Sequence, residues 1–161
     1  MQLMKKLRVG WFTFTCCEDS TIIFTELLNI HYKEWRDKIE FVHAKVLQSK
    51  NRWEEMDVAF VEGAINSIQQ ETKLKKIRNL SKKLVAIGAC ACIGMPSSQR
   101  NSFDMPTKEE INMLLLRFKQ SDRVKKVSEV VTVDDLVQGC PMNETKFLEV
   151  VNKYLREFQI I

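Results

Sequence analysis

Leu7-Arg8-Val9-Gly10-Trp11-Phe12-Thr13-Phe14 is followed at once by Thr15-Cys16-Cys17-Glu18-Asp19-Ser20. The first eight residues are mostly apolar, as in a strand of a parallel sheet buried on both faces. The next six leave that strand through two adjacent cysteines, and Asp19 or Ser20 can cap a following helix. Two later segments repeat the pattern. Leu84-Val85-Ala86-Ile87-Gly88 runs into Ala89-Cys90-Ala91-Cys92-Ile93-Gly94, and a valine-rich stretch over 124–133 leads to Gln138-Gly139-Cys140-Pro141. If the three runs are neighbouring parallel strands, all five cysteines gather along one sheet edge.

The remaining segments alternate strand and helix. A helix is expected over 21–37, with Ile23, Leu27, Ile30 and Glu34 on one stripe and Phe24, Leu28 and Tyr32 widening it. Ile39-Glu40-Phe41-Val42-His43-Ala44 alternates as a second strand, and Asp57-Val58-Ala59-Phe60-Val61-Glu62-Gly63 is a third, ending in a Glu-Gly turn. Residues 71–82 form a basic amphipathic helix with Leu74, Ile77 and Leu80 inward. Gly94-Met95-Pro96-Ser97-Ser98-Gln99-Arg100-Asn101 has the composition of an extended loop. Thr107-Lys108-Glu109-Glu110, after Pro106, opens a helix bearing Ile111, Leu114, Leu115 and Phe118. A last helix over 143–158 buries Phe147, Val150, Val151, Tyr154 and Leu155. This alternation predicts an α/β three-layer sandwich around a mostly parallel sheet, with a flavodoxin-like topology. In such sheets, sites form at the carboxyl ends of the strands. No repeat or linker divides residues 1–161, which read as one domain.

Composition narrows the function. The apolar fraction of 45%, the charged fraction of 29% and a net charge of +4 are those of an ordinary globular protein. Its densest basic patch, Lys73-Leu74-Lys75-Lys76-Ile77-Arg78, fits a solvated helix face and lacks the interleaved aromatics of a nucleic-acid binder. No apolar run approaches the ~20 residues of a membrane span. The basic start, Met1-Gln2-Leu3-Met4-Lys5-Lys6-Leu7-Arg8, leads into cysteines and Glu18 without a small-residue cleavage site. No signal peptide is expected, and a cytoplasmic location is.

In that reducing compartment five cysteines read as metal ligands or reactive thiols rather than disulfides, and the odd count agrees. Four thiolates from three loops suit either an iron–sulfur cluster or zinc. Adjacent Cys16 and Cys17 diverge, which favours a cubane whose irons lie apart over one small ion. Cys92 reads as a packing thiol, since Cys90 already serves its loop. A Cys–His catalyst is not expected: His31 lies inside a helix and His43 inside a strand, away from the site edge. Trp11, Trp35 and Trp53 read as packing residues. The two thiols and two acids after the first strand also disfavour a flavin phosphate site there.

The order of these motifs resembles the small subunit of [NiFe] hydrogenases and the related 20 kDa cluster-bearing subunit of respiratory complex I. The resemblance spans nearly the whole chain. It is strongest in Glu62-Gly63-Ala64-Ile65, in Gly88-Ala89-Cys90-Ala91 with Arg100-Asn101 downstream, and in Gly139-Cys140-Pro141. It implies a flavodoxin-like domain with one [4Fe–4S] cluster on Cys16, Cys17, Cys90 and Cys140, nearest a large subunit that holds the nickel–iron centre. Glu18 resembles an acid placed near the large-subunit interface, with a proton-relay role or a helix-end charge interaction as its two readings. Glu62 is implied to tie the cysteine loop to its neighbouring strand through backbone amides, and Gly63, Gly88, Gly139 and Pro141 to support the site.

The tandem cysteine pair is the complex I form, because hydrogenases usually have Cys-x-x-Cys and residue 14 is Phe14. The family's Gly-Gly is Gly94-Met95 here, and its Cys-Pro-Pro is Cys140-Pro141-Met142. Unlike complex I, Glu18 follows the pair at once, and the Arg100-Asn101 loop is similar to the soluble, cofactor-linked hydrogenases. No C-terminal extension for further clusters is present, so one cluster is implied. The expected function is electron transfer within a cytoplasmic hydrogenase-like complex, without activity in the isolated chain. The large subunit would oxidise hydrogen, and a diaphorase or ferredoxin-type partner would exchange the electrons. Other readings are a complex I-like quinone oxidoreductase subunit, a cluster-less scaffold and a zinc module.

Overall fold

A computed structural model describes residues 5–161; residues 1–4, the first half of the basic start, lie outside the described residues. Five strands form one parallel sheet: β1 (Leu7–Thr13), β2 (Ile39–Ala44), β3 (Met56–Glu62), β4 (Ser81–Ile87) and β5 (Asp135–Val137). Their order is β2-β1-β3-β4-β5, the flavodoxin-like order. Five helices connect and cover them: α1 (Asp19–Trp35), α2 (Ile68–Leu80), α3 (Gly88–Ile93), α4 (Met105–Arg117) and α5 (Glu144–Glu157). No helix among the described residues is long and apolar enough to cross a membrane.

Strand side chains alternate between two cores, and this makes three layers. Val58, Phe60, Val85 and Ile87 face one side, packing with Phe24, Leu27 and Trp35 of α1 and Phe147, Val151 and Tyr154 of α5. Ala59, Val61, Leu84 and Ala86 face the other, against Leu74 and Ile77 of α2. Trp11 anchors the first core, stacked on Phe24 at 4.1 Å and meeting Phe147 edge-on at 6.0 Å. Truncating a buried aromatic of this kind to Ala costs about 3–5 kcal/mol.

Pairing register then sets the site. Thr13 pairs with Glu62, Glu62 with Ile87, and Ile87 with Val137. Four strands therefore end on one line, and the loops carrying the cysteines leave the sheet side by side.

Several elements differ from the sequence reading. α1 begins at Asp19, after Glu18 in a left-handed conformation (φ 65°), and neither Asp19 nor Ser20 caps it. Its buried face is Thr21, Phe24, Leu27 and Trp35, so Ile30 and Tyr32 point to solvent. α2 starts earlier, at Ile68, where the Ser67 hydroxyl accepts from the Gln70 N–H. Residues after β4 form the short helix α3 rather than a loop. The valine-rich stretch over 124–133 is not a strand: it makes one bridge, Ile65 to Lys125, and a 3-10 turn at Val127–Glu129, and β5 comes later. α4 begins at Met105, where Asp104 accepts from the Thr107 N–H at 3.1 Å, and not at Thr107. It buries no residue. Trp11 and Trp35 are core residues, whereas Trp53 is exposed.

Candidate metal centre

The first cysteine loop is laced to the end of β3. The Phe14 N–H donates to the Glu62 carbonyl (2.8 Å), and Thr15 and Ala64 exchange two backbone hydrogen bonds (3.1 and 2.9 Å). Gly63 makes this approach possible: its φ is +95°, and a Cβ there would lie 2.8 Å from Phe14 C and Thr15 N. The loop then turns through Glu18 into α1.

Glu62 holds the next turn. It is 3% exposed, its Oε1 accepts from the Ser20 N–H at 3.1 Å, and its Oε2 accepts from the Thr21 hydroxyl at 2.5 Å. Thr21 in turn accepts from the Trp11 indole N–H at 2.9 Å. Burial raises the Glu62 pKa, against the lowering effect of these two donors. The carboxylate thus grips the first turn of α1, just past the cysteine pair.

The other loops are tied to the same frame. Ala89 N–H donates to Gly139 O (2.8 Å), joining the start of α3 to the Cys140 loop. The Ser20 hydroxyl accepts from the Met142 N–H at 3.2 Å, which joins that loop to α1. Gly139 sits at φ +120°, where a Cβ would fall 2.5 Å from the Pro141 carbonyl oxygen. Gly88, also at positive φ, opens α3 beside Ser20.

As a result Cys16, Cys17, Cys90 and Cys140 line one narrow cleft, together with Glu62, Gly88, Gly139 and Pro141. All are free thiols; Cys90 is buried, Cys16 half-buried, and Cys17 and Cys140 exposed. Burial, with Glu62 next to it, pushes the Cys16 thiol up to about 12, so the free group keeps its proton at neutral pH. Ser97, unremarked in the sequence, has its Oγ 3.2 Å from Thr15 O and 3.3 Å from Cys90 Sγ. A lone serine in a turn-rich loop gives no signal for that bridge.

Cys92 lies elsewhere. It packs in the core on the α2 side, with its Sγ 3.3 Å from Ala86 O and 3.7 Å from Val137 O, and burial raises its pKa to about 11. His31 and His43 are not in the thiol cleft. Glu18 is exposed and lines a neighbouring cleft instead. Arg100 and Asn101 are anchors: Asn101 exchanges two 2.8 Å bonds with Val124, and Arg100 donates to the Ser121 carbonyl.

This donor set can be tested against possible occupants. Among the described residues no three His, Cys, Asp or Glu side chains stand close enough to chelate a single ion. Tetrahedral zinc, with bonds of about 2.3 Å, needs its sulfurs within ~4 Å of one another. Four thiols lining one cleft are the donor set of a thiolate-held centre such as an iron–sulfur cluster.

A parallel sheet in this strand order, with four thiols at its carboxyl edge, defines a flavodoxin-like α/β fold. Within it, residues 16–154 match the family described as "NADH ubiquinone oxidoreductase, 20 Kd subunit", and the chain belongs to that family. It is 26% identical to sulfhydrogenase 2 subunit delta of Pyrococcus furiosus over 151 residues, covering 90% of this chain and 60% of that protein. It is 24% identical to the gamma chain of the coenzyme F420 hydrogenase of Methanosarcina barkeri over 143 residues, covering 86% of this chain and 50% of that one. The chain thus spans only half to three-fifths of these relatives. A chain in the crystal structure of NAD+-reducing [NiFe]-hydrogenase in the H2-reduced state shares the fold, with a TM-score of 0.77 at 21% identity over 94% of this chain and 92% of that chain.

Proposed function

We propose that this chain is the electron-transfer subunit of a cytoplasmic [NiFe]-hydrogenase-like complex, with one [4Fe–4S] cluster held by Cys16, Cys17, Cys90 and Cys140. One observation carries the reading: four free thiols from three loops share one cleft, while the fifth thiol is turned into the core. When bound, such a cluster supplies one-electron transfer.

The chain's own residues hold the ligands in place. Glu62 anchors the turn after Cys16 and Cys17, and the Ala89–Gly139 bond keeps the Cys90 and Cys140 loops together. Hydrogen oxidation would belong to a large subunit bearing nickel and iron, and the electrons would pass to a diaphorase or ferredoxin-type partner. The names of these two relatives, both hydrogenase subunits, support this assignment. Exposed Ile93 and Met95, a few residues beyond Cys90, and the exposed apolar residues of α4 support a covering partner subunit.

A second reading has specific support in the tandem Cys16-Cys17 pair and the family's description: a complex I-like subunit delivering electrons to quinone. It shares the cluster and differs in the partner.

The test is iron, sulfide and zinc analysis of anaerobically purified protein, wild type beside Cys140→Ser and Cys92→Ser. About four irons per chain are expected, lost in Cys140→Ser and kept in Cys92→Ser. Zinc, or no metal in any variant, would overturn the electron-transfer reading.

A further inference from the structure

A second cleft, of about 420 Å3, opens at the carboxyl ends of β1 and β2, on the side of β1 away from the thiols. Its wall includes Thr13, Glu18, Thr21, His43, Lys45 and Lys73. Lys45 directly follows β2, whereas Lys73 reaches in from α2, so two cations from separate elements converge there. Among the described residues neither lysine has a carboxylate within ion-pair distance, although Lys38, Lys82, Lys83, Lys125, Lys146 and Lys153 each do. Lys73 is half-buried, with its Nζ 5.0 Å from the Phe14 ring centre, and burial together with Lys45 lowers its pKa. The one acid in the wall, exposed Glu18, leaves the positive charge in excess.

His43 adds an independent sign. It is 2% exposed, and its Nδ1 is buried without a hydrogen-bond partner. Phe12 and Trp53 hold the ring, with centroids at 4.5 and 4.9 Å. Burial, with Lys73 and Lys45 nearby, keeps its pKa below the ordinary value, against the raising effect of a hydrogen bond to the Arg52 backbone. Buried polar groups are rarely left unpaired, and each one that is calls for an explanation. Two ammonium groups without a carboxylate partner around one walled space are what a multiply charged anion would satisfy.

We propose that this cleft binds a small phosphate-bearing anion, with Lys45 and Lys73 as its counter-charges and Thr13 as a polar contact. A phosphate group carries about −1.5 to −2 at neutral pH and so matches two lysines, where a single carboxylate would match one. Lysine serves such groups as a compact point charge. The inference stands apart from the cluster assignment, because no cysteine lines this cleft.

The experiment is titration of the full-length chain with inorganic pyrophosphate, against sodium chloride at matched ionic strength. It is read by calorimetry and by the NMR signals of the lysine Nζ groups and the His43 ring. Saturable binding at one site is expected, with shifts at Lys45, Lys73 and His43. Replacing both lysines, Lys45→Gln with Lys73→Gln, should weaken it at least about tenfold, the loss of one to two charged hydrogen bonds. The paired change Lys108→Gln with Lys119→Gln, on α4 and just beyond it, should leave it unchanged. The apo melting temperature should not fall in the Lys45/Lys73 variant, since a repulsion is removed. No saturable signal, or equal weakening in both paired variants, would overturn the proposal.

Discussion

The thiol edge and helix α4 adjoin in sequence, yet they are held in opposite ways. At the thiol edge every approach is settled inside the chain. The Thr15–Ala64 bridge, the Glu62 carboxylate and the Ala89–Gly139 bond lash three loops together, with glycines at positive φ where backbones come within reach. α4 is well capped by Asp104 but buries nothing: Met105, Met113, Leu114, Leu116 and Phe118 are all more than half exposed. A single covered leucine contributes about 1.5–3 kcal/mol, so this helix forgoes a large stabilisation in the isolated chain. The difference separates what the chain fixes for itself from what it leaves for another surface to complete.

Substituting Gly63 tests the first half of that contrast with the largest effect. Gly63→Ala adds a Cβ at 2.8 Å from backbone atoms in a left-handed conformation, and those atoms belong to the loop that carries Cys16. A loss of about 3 kcal/mol is expected, or a melting temperature lower by roughly 10 °C for a chain of this size. Iron content should fall with it. An unchanged melting temperature would show that the loop is free to move and break the comparison at its firm end.

α4 should behave in the reverse manner. Leu114→Gln with Leu116→Gln replaces two exposed side chains and should leave stability within about 0.5 kcal/mol per site. Binding of a dye that reports exposed apolar surface should fall. A drop of several degrees in melting temperature would mean that α4 is packed within the chain, and the contrast would vanish.

How much of this was legible in the sequence follows the same division. Four of the five strands could be read: β1, β3 and β4 are mostly apolar runs that lead to a glycine or cysteine, and β2 alternates, whereas the three-residue β5 could not. The inward face of α5 could be read because Phe147, Val150, Val151, Tyr154 and Leu155 repeat at helical spacing, and all five are buried. α3 could not: Gly88-Ala89-Cys90-Ala91-Cys92-Ile93 is too short for a period to register and has a loop's composition. Nor could the path over 124–133, because Val124 and Val127 are buried as lids on two cores rather than as strand residues. For Glu62 the sequence reading expected backbone amides as partners, and a hydroxyl shares that place. Glu62 reaches one backbone amide and one hydroxyl just past the cysteine loop. In α4 the apolar pattern was plain, but none of its residues is buried.

A smaller loss than at Gly63 is expected at the weakest support of the firm region. β5 has only three residues, yet it delivers the loop bearing Cys140. Asp135 ties it to α5, accepting from Lys153 Nζ at 2.6 Å and from the Tyr154 hydroxyl. Burial alone would raise the Asp135 pKa, but these two donors outweigh it and hold the carboxyl below its ordinary value. A depressed carboxyl stabilises the fold fully above the unfolded-state pKa, and that contribution is lost as pH falls through the folded value. Asp135→Asn should therefore cost about 1–2 kcal/mol near neutrality, less where solvent screens the lysine. The gap between wild type and variant should close as pH drops below about 4. Urea unfolding at a series of pH values would measure it. A gap that stays constant with pH would show that shape, not charge, seats β5.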